Sequence, residues 1–204
     1  MSSSGTFEKQ IKSIVSQVRQ ASGWILRVFS SRSRQLMLQL FKSMVIPIAE
    51  YGCQLWSPMS IGQIRKIEGL QRSFTHRIEG MGNINYWERL QELQLYSLER
   101  RRERYFIIYI WKIVNGLAPN IDIDGVSISI YRNIRRGLLC RIPSLNNRAR
   151  ARIQTMKENS LVVHGARLFN AMPSEIRESR SELETFKKKL DGFLKTMPDK
   201  PALP

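Results

Sequence analysis

The stretch LMLQLFKSMVIPIAEYGCQLWSPMSIGQIRKIEGLQRSFTHRI, Leu36 to Ile78, constrains the fold more than any other, because it holds three apolar segments at helical spacing separated by two prolines. Leu36, Leu40, Met44 and Ile48 recur every four residues with Met37, Phe41 and Val45 beside them, the broad apolar stripe of a core-facing helix. Pro47 has no amide proton and its ring crowds the preceding turn, so a kink is expected there, with residues 48–56 leaving at an angle and ending at Ser57-Pro58. A new helix is expected from near Ser60. Its apolar positions Ile61, Ile64, Ile67, Leu70, Phe74 and Ile78 step by three or four, and Arg65, Lys66, Arg72 and Arg77 fall between them. One face is oily and the other basic.

Phe7 to Phe29 reads as an earlier helix with an apolar stripe of Phe7, Ile11, Ile14, Val15, Val18, Ile25 and Phe29. Lys9, Lys12, Arg19 and Arg27 lie mostly outside that arc, and Gly23 weakens the second half. Residues 79–85, EGMGNIN, form a turn, and a short amphipathic helix spans Tyr86 to Leu95. Ser97 is the expected N-cap of a helix from Leu98 to Gly116. Its opening RRRER, residues 100–104, fits a solvated first turn partnered by Glu99 and Glu103, and equally a phosphate contact that offsets the unfavourable helix dipole. The apolar YFIIYIWKIV that follows should be buried on several sides.

Beyond the linker Ala118-Pro119-Asn120 the pattern changes. Asp122 to Tyr131 alternates isoleucines with small polar residues and reads as a β-strand, Arg136-Gly137 as a turn between two short strands, and Pro143 to Asn147 as a loop. Residues 125–156 contain Arg132, Arg135, Arg136, Arg141, Arg148, Arg150 and Arg152 with no acid and no lysine. Arginine alone suits bidentate phosphate contacts and base stacking; a solubilising hairpin is the alternative. Tyr131 is either a stacking platform or half-buried strand filler. Helix returns at Ser160 to Ala171, breaks at Met172-Pro173-Ser174, and restarts from Ser174 or Ser181. Leu183, Phe186, Leu190, Phe193, Leu194 and Met197 form the buried face of this closing helix, Lys187 to Lys189 its outer side, and residues 198–204 a frayed end.

The fold class expected is therefore mainly α: a helical domain over residues 1–118, then a small basic α+β domain over 119–204 with a short β-hairpin. A formal charge of +16, from 33 Lys plus Arg against 17 Asp plus Glu, favours a polyanionic partner, with nucleic acid first and an anionic membrane surface second. No run of eighteen apolar residues exists, and Tyr105 to Val114 is too short to span a bilayer. The opening MSSSG has no signal-peptide character, so an intracellular protein of nucleus or cytoplasm is expected. Cys53 and Cys140 stand far apart and outside any CxxC pattern, which suits small buried side chains rather than a disulfide or metal site. Two-metal nucleotidyl transfer needs carboxylates holding ions about 3.5–4 Å apart. Asp122 and Asp124 are the only close aspartate pair, and the neighbouring Gly125 and Pro119-Asn120 favour a turn there. His76 and His164 have no catalytic or ligating context and are expected to be partly buried and hydrogen-bonded. No catalytic residue, metal ligand or cofactor is expected.

The run LFKSMVIPIAEYGCQLWSP, followed by a helix carrying Glu68, Leu70, Gln71, Arg72 and Ile78, resembles the segment after the polymerase palm in non-LTR (LINE-type, jockey-like) retrotransposon reverse transcriptases. YWERLQELQLYSLERRRERYFIIYIWKIVNG and LVVHGARLFNAMPSEIRESRSELETFKKKLDGFL are similar to the two later segments of that family, so the resemblance covers nearly the whole chain in order. It implies a thumb and post-thumb region without the catalytic palm, Met1 falling where the palm has already ended. The implied role is to hold template-primer RNA or DNA by phosphate contacts from Arg65, Lys66, Arg72 and Arg77, with the arginines of 132–152 behind them. The palm or another protein is a further implied partner, and a protein-interaction module from a domesticated or truncated open reading frame is the rival reading.

Overall fold

A computed structural model describes residues 7–53, 55, 56, 58, 60–120, 127–141, 160–179 and 182–199. These residues are mainly helical with one two-stranded antiparallel sheet. The chain divides into two compact units, Met1–Arg102 with Asp199–Pro204, and Glu103–Pro198, so the division falls inside a helix, ahead of the expected boundary at 118. The expected loop at 143–147, the start of the strand at 122–126, Arg148, Arg150 and Arg152, Ser181, and the tail after Asp199 lie outside the described residues.

In the first unit α1 (Glu8–Val28) buries Ile11, Ile14, Val18 and Ile25. Its C-terminal carbonyls are closed by Arg32, whose guanidinium donates to Leu26 O at 2.6 Å and to Phe29 O. Then α2 (Arg34–Leu40), a π-helical turn (Phe41–Val45) and α3 (Ile46–Glu50) follow without a break. The expected disruption at Pro47 thus takes another form. A prolyl ring clashes with the carbonyl four residues back, and the wider π turn just ahead of Pro47 lets the helix pass through it to Glu50. The chain turns only at Tyr51–Cys53, where Gly52 has φ 64 and the indole of Trp56 donates to Tyr51 O at 2.7 Å. Burial also falls on a different line from the one the period-four run suggests. Met37, Phe41, Val45, Ile46 and Ala49 are buried, whereas Leu36, Leu40 and Ile48 are half-buried and Met44 is exposed.

Ser60 caps α4 (Ile61–Thr75), its hydroxyl accepting from Gln63 N at 3.3 Å. Phe74 of α4 stacks on Phe41 with centroids 4.7 Å apart, and α4 also packs along α1. Glu68 and Gln71 of α4 are fully buried, which oily-versus-basic patterning did not anticipate. Glu68 accepts from the Tyr86 hydroxyl of α5 (Tyr86–Glu92) at 2.6 Å, and from Leu98 N and Glu99 N at 3.2 and 3.3 Å. Those amides open α6 (Leu98–Val114), so a buried carboxylate sits on its N-terminal turn. Gln71 donates to Tyr96 O at 2.9 Å just before it. Ser97 caps the same helix through Arg100 N at 3.0 Å and is itself held by Asp199.

The RRRER run is not a solvated turn: acids outside it answer its arginines. Arg101 pairs with Glu50 of α3, Arg102 is buried beside Glu68, Arg100 lies 4.0 Å from Asp199, and Arg104, already in the second unit, forks onto Asp191 at 2.5 and 2.9 Å.

The second unit takes up the rest of α6, whose Trp111 stacks on Phe186 of α9 (Leu183–Thr196) with centroids 4.5 Å apart. A π-helical turn (Leu161–Gly165) leads into α7 (Ala166–Ala171), and Gly165 brings its backbone against Ile110, where an added Cβ would lie 3.0 Å away. Strands β1 (Ser129–Asn133) and β2 (Gly137–Arg141) form the hairpin. Asn133 Oδ1 accepts from Arg135 N and Arg136 N, and Gly137 has φ 70. Asn170 exchanges two hydrogen bonds with the Cys140 backbone at 2.9 and 2.8 Å, while Glu178, after α8 (Ser174–Arg177), accepts from Leu138 N at 3.0 Å.

Candidate nucleic-acid interface

A groove of about 590 Å³ lies between α1 and α4 in the first unit. Arg19, Ser22, Gly23, Leu26 and Arg27 form one wall, a single stripe at helical spacing. Arg65, Lys66, Gly69, Leu70, Ser73, Phe74 and Arg77 form the other. Five cations therefore flank it with no acid among its described lining residues. Arg19, Arg27 and Arg77 make no ion pair among the described residues. From Arg65 to Thr75, where α4 ends, the second wall runs about 15 Å at 1.5 Å per residue, with Arg77 in the turn beyond. That length matches about four phosphates at 3.4 Å per nucleotide of a stacked strand.

Both walls carry a glycine in mid-helix, where glycine costs about 1 kcal/mol relative to alanine. Neither has a positive φ. A Cβ on Gly69 would meet nothing within 4 Å, and one on Gly23 would meet only the Arg27 guanidinium at 3.8 Å. Helix geometry and internal packing thus leave both glycines unexplained, and both line the groove. On α1 the spacing is Arg19-x3-Gly23-x3-Arg27; on α4 it is Arg65-x3-Gly69-x3-Ser73, with Arg77 in the turn past the helix end.

Of the residues singled out from the sequence, Arg65, Lys66 and Arg77 come together here. Arg72 does not; it is exposed away from the groove, close enough for its charge to disfavour that of buried Arg89. Arg19 and Arg27 were not among the expected contacts, although their four-residue spacing about Gly23 carried the signal.

The hairpin arginines form a separate set in the second unit. Arg132 pairs with Glu178 at 2.9 Å, so an acid outside the run answers it. Arg135, Arg136 and Arg141 are exposed, as are Tyr131 and Ile134 at or near the turn. The Arg136 carbonyl is tied to the buried Arg177 guanidinium, which also donates to Asn170 O at 2.7 Å.

Among the described residues no three His, Cys, Asp or Glu side chains converge to hold a metal, and no helix is long and apolar enough to cross a membrane. Cys53 and Cys140 are both buried and free, and burial pushes each thiol up to about 12. His164 is half-buried edge-on to Phe106, and burial, with the nearby Arg167, lowers its pKa. His76, expected to be partly buried, is exposed. No family model, curated protein or solved structure matches the chain.

Proposed function

We propose that the chain binds nucleic acid through the sugar-phosphate backbone, as the thumb and post-thumb piece of a non-LTR reverse transcriptase that holds template-primer for a palm it does not contain. The α1–α4 groove carries this reading: two walls of cations, no acid among the described lining, and a length of several phosphates. Such contacts position a strand without reading bases, because phosphates are the same in every sequence. The residues of the resemblance have structural work that fits their type. Glu50, Glu68, Gln71 and Arg101 all tie the start of α6 to α3 and α4.

Replacing Arg19, Arg27 and Arg77 together by Gln should weaken binding of a fluorescent RNA at least tenfold in anisotropy titrations, with the helical circular dichroism intact. Unchanged affinity in the folded variant sinks the reading. A protein-docking role draws on exposed Tyr51, Leu55 and Ile61; it predicts a partner complex insensitive to salt and to the triple substitution. Primer extension by the isolated chain in magnesium or manganese should give no templated product.

A further inference from the structure

We infer that the hairpin tip of the second unit is a separate nucleic-acid contact, in which Ile134 enters between two base pairs of a duplex from the minor groove and the arginines beside it hold the flanking phosphates. The α1–α4 groove plays no part in it. Ile134, Arg135 and Arg136 alone join the paired Asn133 and Gly137. Such loop positions favour Gly, Asn, Asp or Ser, which bend the backbone or bond to it. A β-branched apolar side chain does neither, and that of Ile134 stands fully in water at 103% exposure. One exposed apolar residue means little by itself; its setting carries the inference. The loop is held in place: Asn133 Oδ1 accepts from Arg135 N at 2.9 Å and from Arg136 N at 3.0 Å, the Arg136 carbonyl accepts from buried Arg177, and Glu178 accepts from Leu138 N and Arg132. Ile134 is therefore preorganised for a ligand rather than for the fold.

The charge around it names the ligand. Residues 127–141 hold four arginines and no acid. Glu178 answers Arg132, whereas Arg135, Arg136 and Arg141 make no ion pair among the described residues. Their planar forks suit phosphate oxygens. Ile130 and Tyr131, the other exposed apolar residues of the hairpin, are neighbours on β1 and so point to opposite faces. No contiguous apolar patch surrounds the tip, and lipid or protein docking draws on such area. A base step, in contrast, accepts a single apolar wedge and kinks where it enters.

The test uses the full chain and RNA–DNA hybrid duplexes of about 20 base pairs, either perfect or with one central abasic site in the DNA strand. The stack is already open at that site, so the wild type should bind the abasic duplex about tenfold more tightly than the perfect one. Ile134→Leu should keep that ratio, and Ile134→Ser should reduce it to less than about twofold. Replacing Arg135 and Arg136 together by Gln should weaken binding of both duplexes at least about fivefold and leave the ratio alone. Equal ratios in the wild type and Ile134→Ser overturn the wedge, and full affinity in the double arginine variant overturns the phosphate contacts. Sedimentation of the wild type but not of Ile134→Ser with phosphatidylserine vesicles overturns the inference in favour of a membrane. The triple groove variant should bind both duplexes more weakly at an unchanged ratio; if it keeps full affinity, the proposed function falls while a ratio that depends on Ile134 still upholds the hairpin contact.

Discussion

Replacing Glu68 by Ala removes the acceptor on which the start of α6 depends. The carboxylate is fully buried and takes hydrogen bonds from Tyr86, Leu98 N and Glu99 N, with the buried Arg102 guanidinium nearby. Tyr86 and Leu98 are themselves buried, so their donors find no water in its place. Each buried donor left unmade costs about 1–3 kcal/mol, and a stranded buried charge costs about 3–5 kcal/mol. Because these terms overlap, about 3–5 kcal/mol is expected in total, a large share of the roughly 5–15 kcal/mol that stabilises a typical domain. Glu68→Gln keeps a carbonyl acceptor and should cost less than the alanine variant. Burial also holds the Glu68 carboxyl above the usual carboxylate range, against the hydrogen bonds that lower it. The native state then binds more protons than the unfolded one between the ordinary and the raised value. Stability from this group is full below the ordinary carboxylate pKa and declines as pH rises through that window, so the gap between wild type and Glu68→Gln should narrow with pH. Urea unfolding of the three proteins measures both effects; a loss below about 1 kcal/mol for Glu68→Ala refutes the buried-acceptor argument.

Gly137→Ala places a Cβ 1.9 Å from a Glu178 carboxylate oxygen at a residue with φ 70, so it should destabilise the second unit by about 1–3 kcal/mol and weaken protection of the Leu138 amide in hydrogen exchange. The folded pKa of His164 lies below the unfolded one, so its stabilising contribution is complete above about 6.5 and is lost as pH falls through the lowered value. His164→Gln should flatten that part of the stability profile in urea titrations from pH 5 to 8. Cys53 and Cys140 should resist iodoacetamide in the native protein at pH 8 and react within minutes in urea; rapid native labelling of either contradicts its burial.

Helix content and the presence of a hairpin were legible because apolar spacing and turn chemistry are local signals, although among the described residues the first strand starts at Ser129 and runs past the expected end at Tyr131 to Asn133, and Gly137 opens the second strand. The Ser97 cap and the helix start near Ser60 could be read for the same reason. What stayed hidden depends on residues far apart in the chain. Glu68 and Gln71 read as polar helix positions until Tyr96, Leu98 and Glu99 meet them, and RRRER reads as surface until Glu50, Asp191 and Asp199 supply acids. Within the broad stripe the buried line is Met37-Phe41-Val45 and not Leu36-Leu40-Met44, a choice of phase that apolar spacing alone leaves open because both lines step by four. Half of the groove was visible as Arg65, Lys66 and Arg77, but pairing it with Arg19 and Arg27 required knowing that α1 packs on α4.

The salt dependence of RNA binding tests the groove most directly. Each phosphate contact to a single strand contributes about −0.7 to the slope of log affinity against log salt, so removing three of the five groove cations should make that slope shallower by about 2. The wild type and the Arg19→Gln, Arg27→Gln, Arg77→Gln variant are compared from 50 to 200 mM salt on one single-stranded RNA. A difference of about 2 places the phosphates between α1 and α4. Parallel lines with equal intercepts in two folded proteins contradict it, and the binding surface must then be sought elsewhere on the chain.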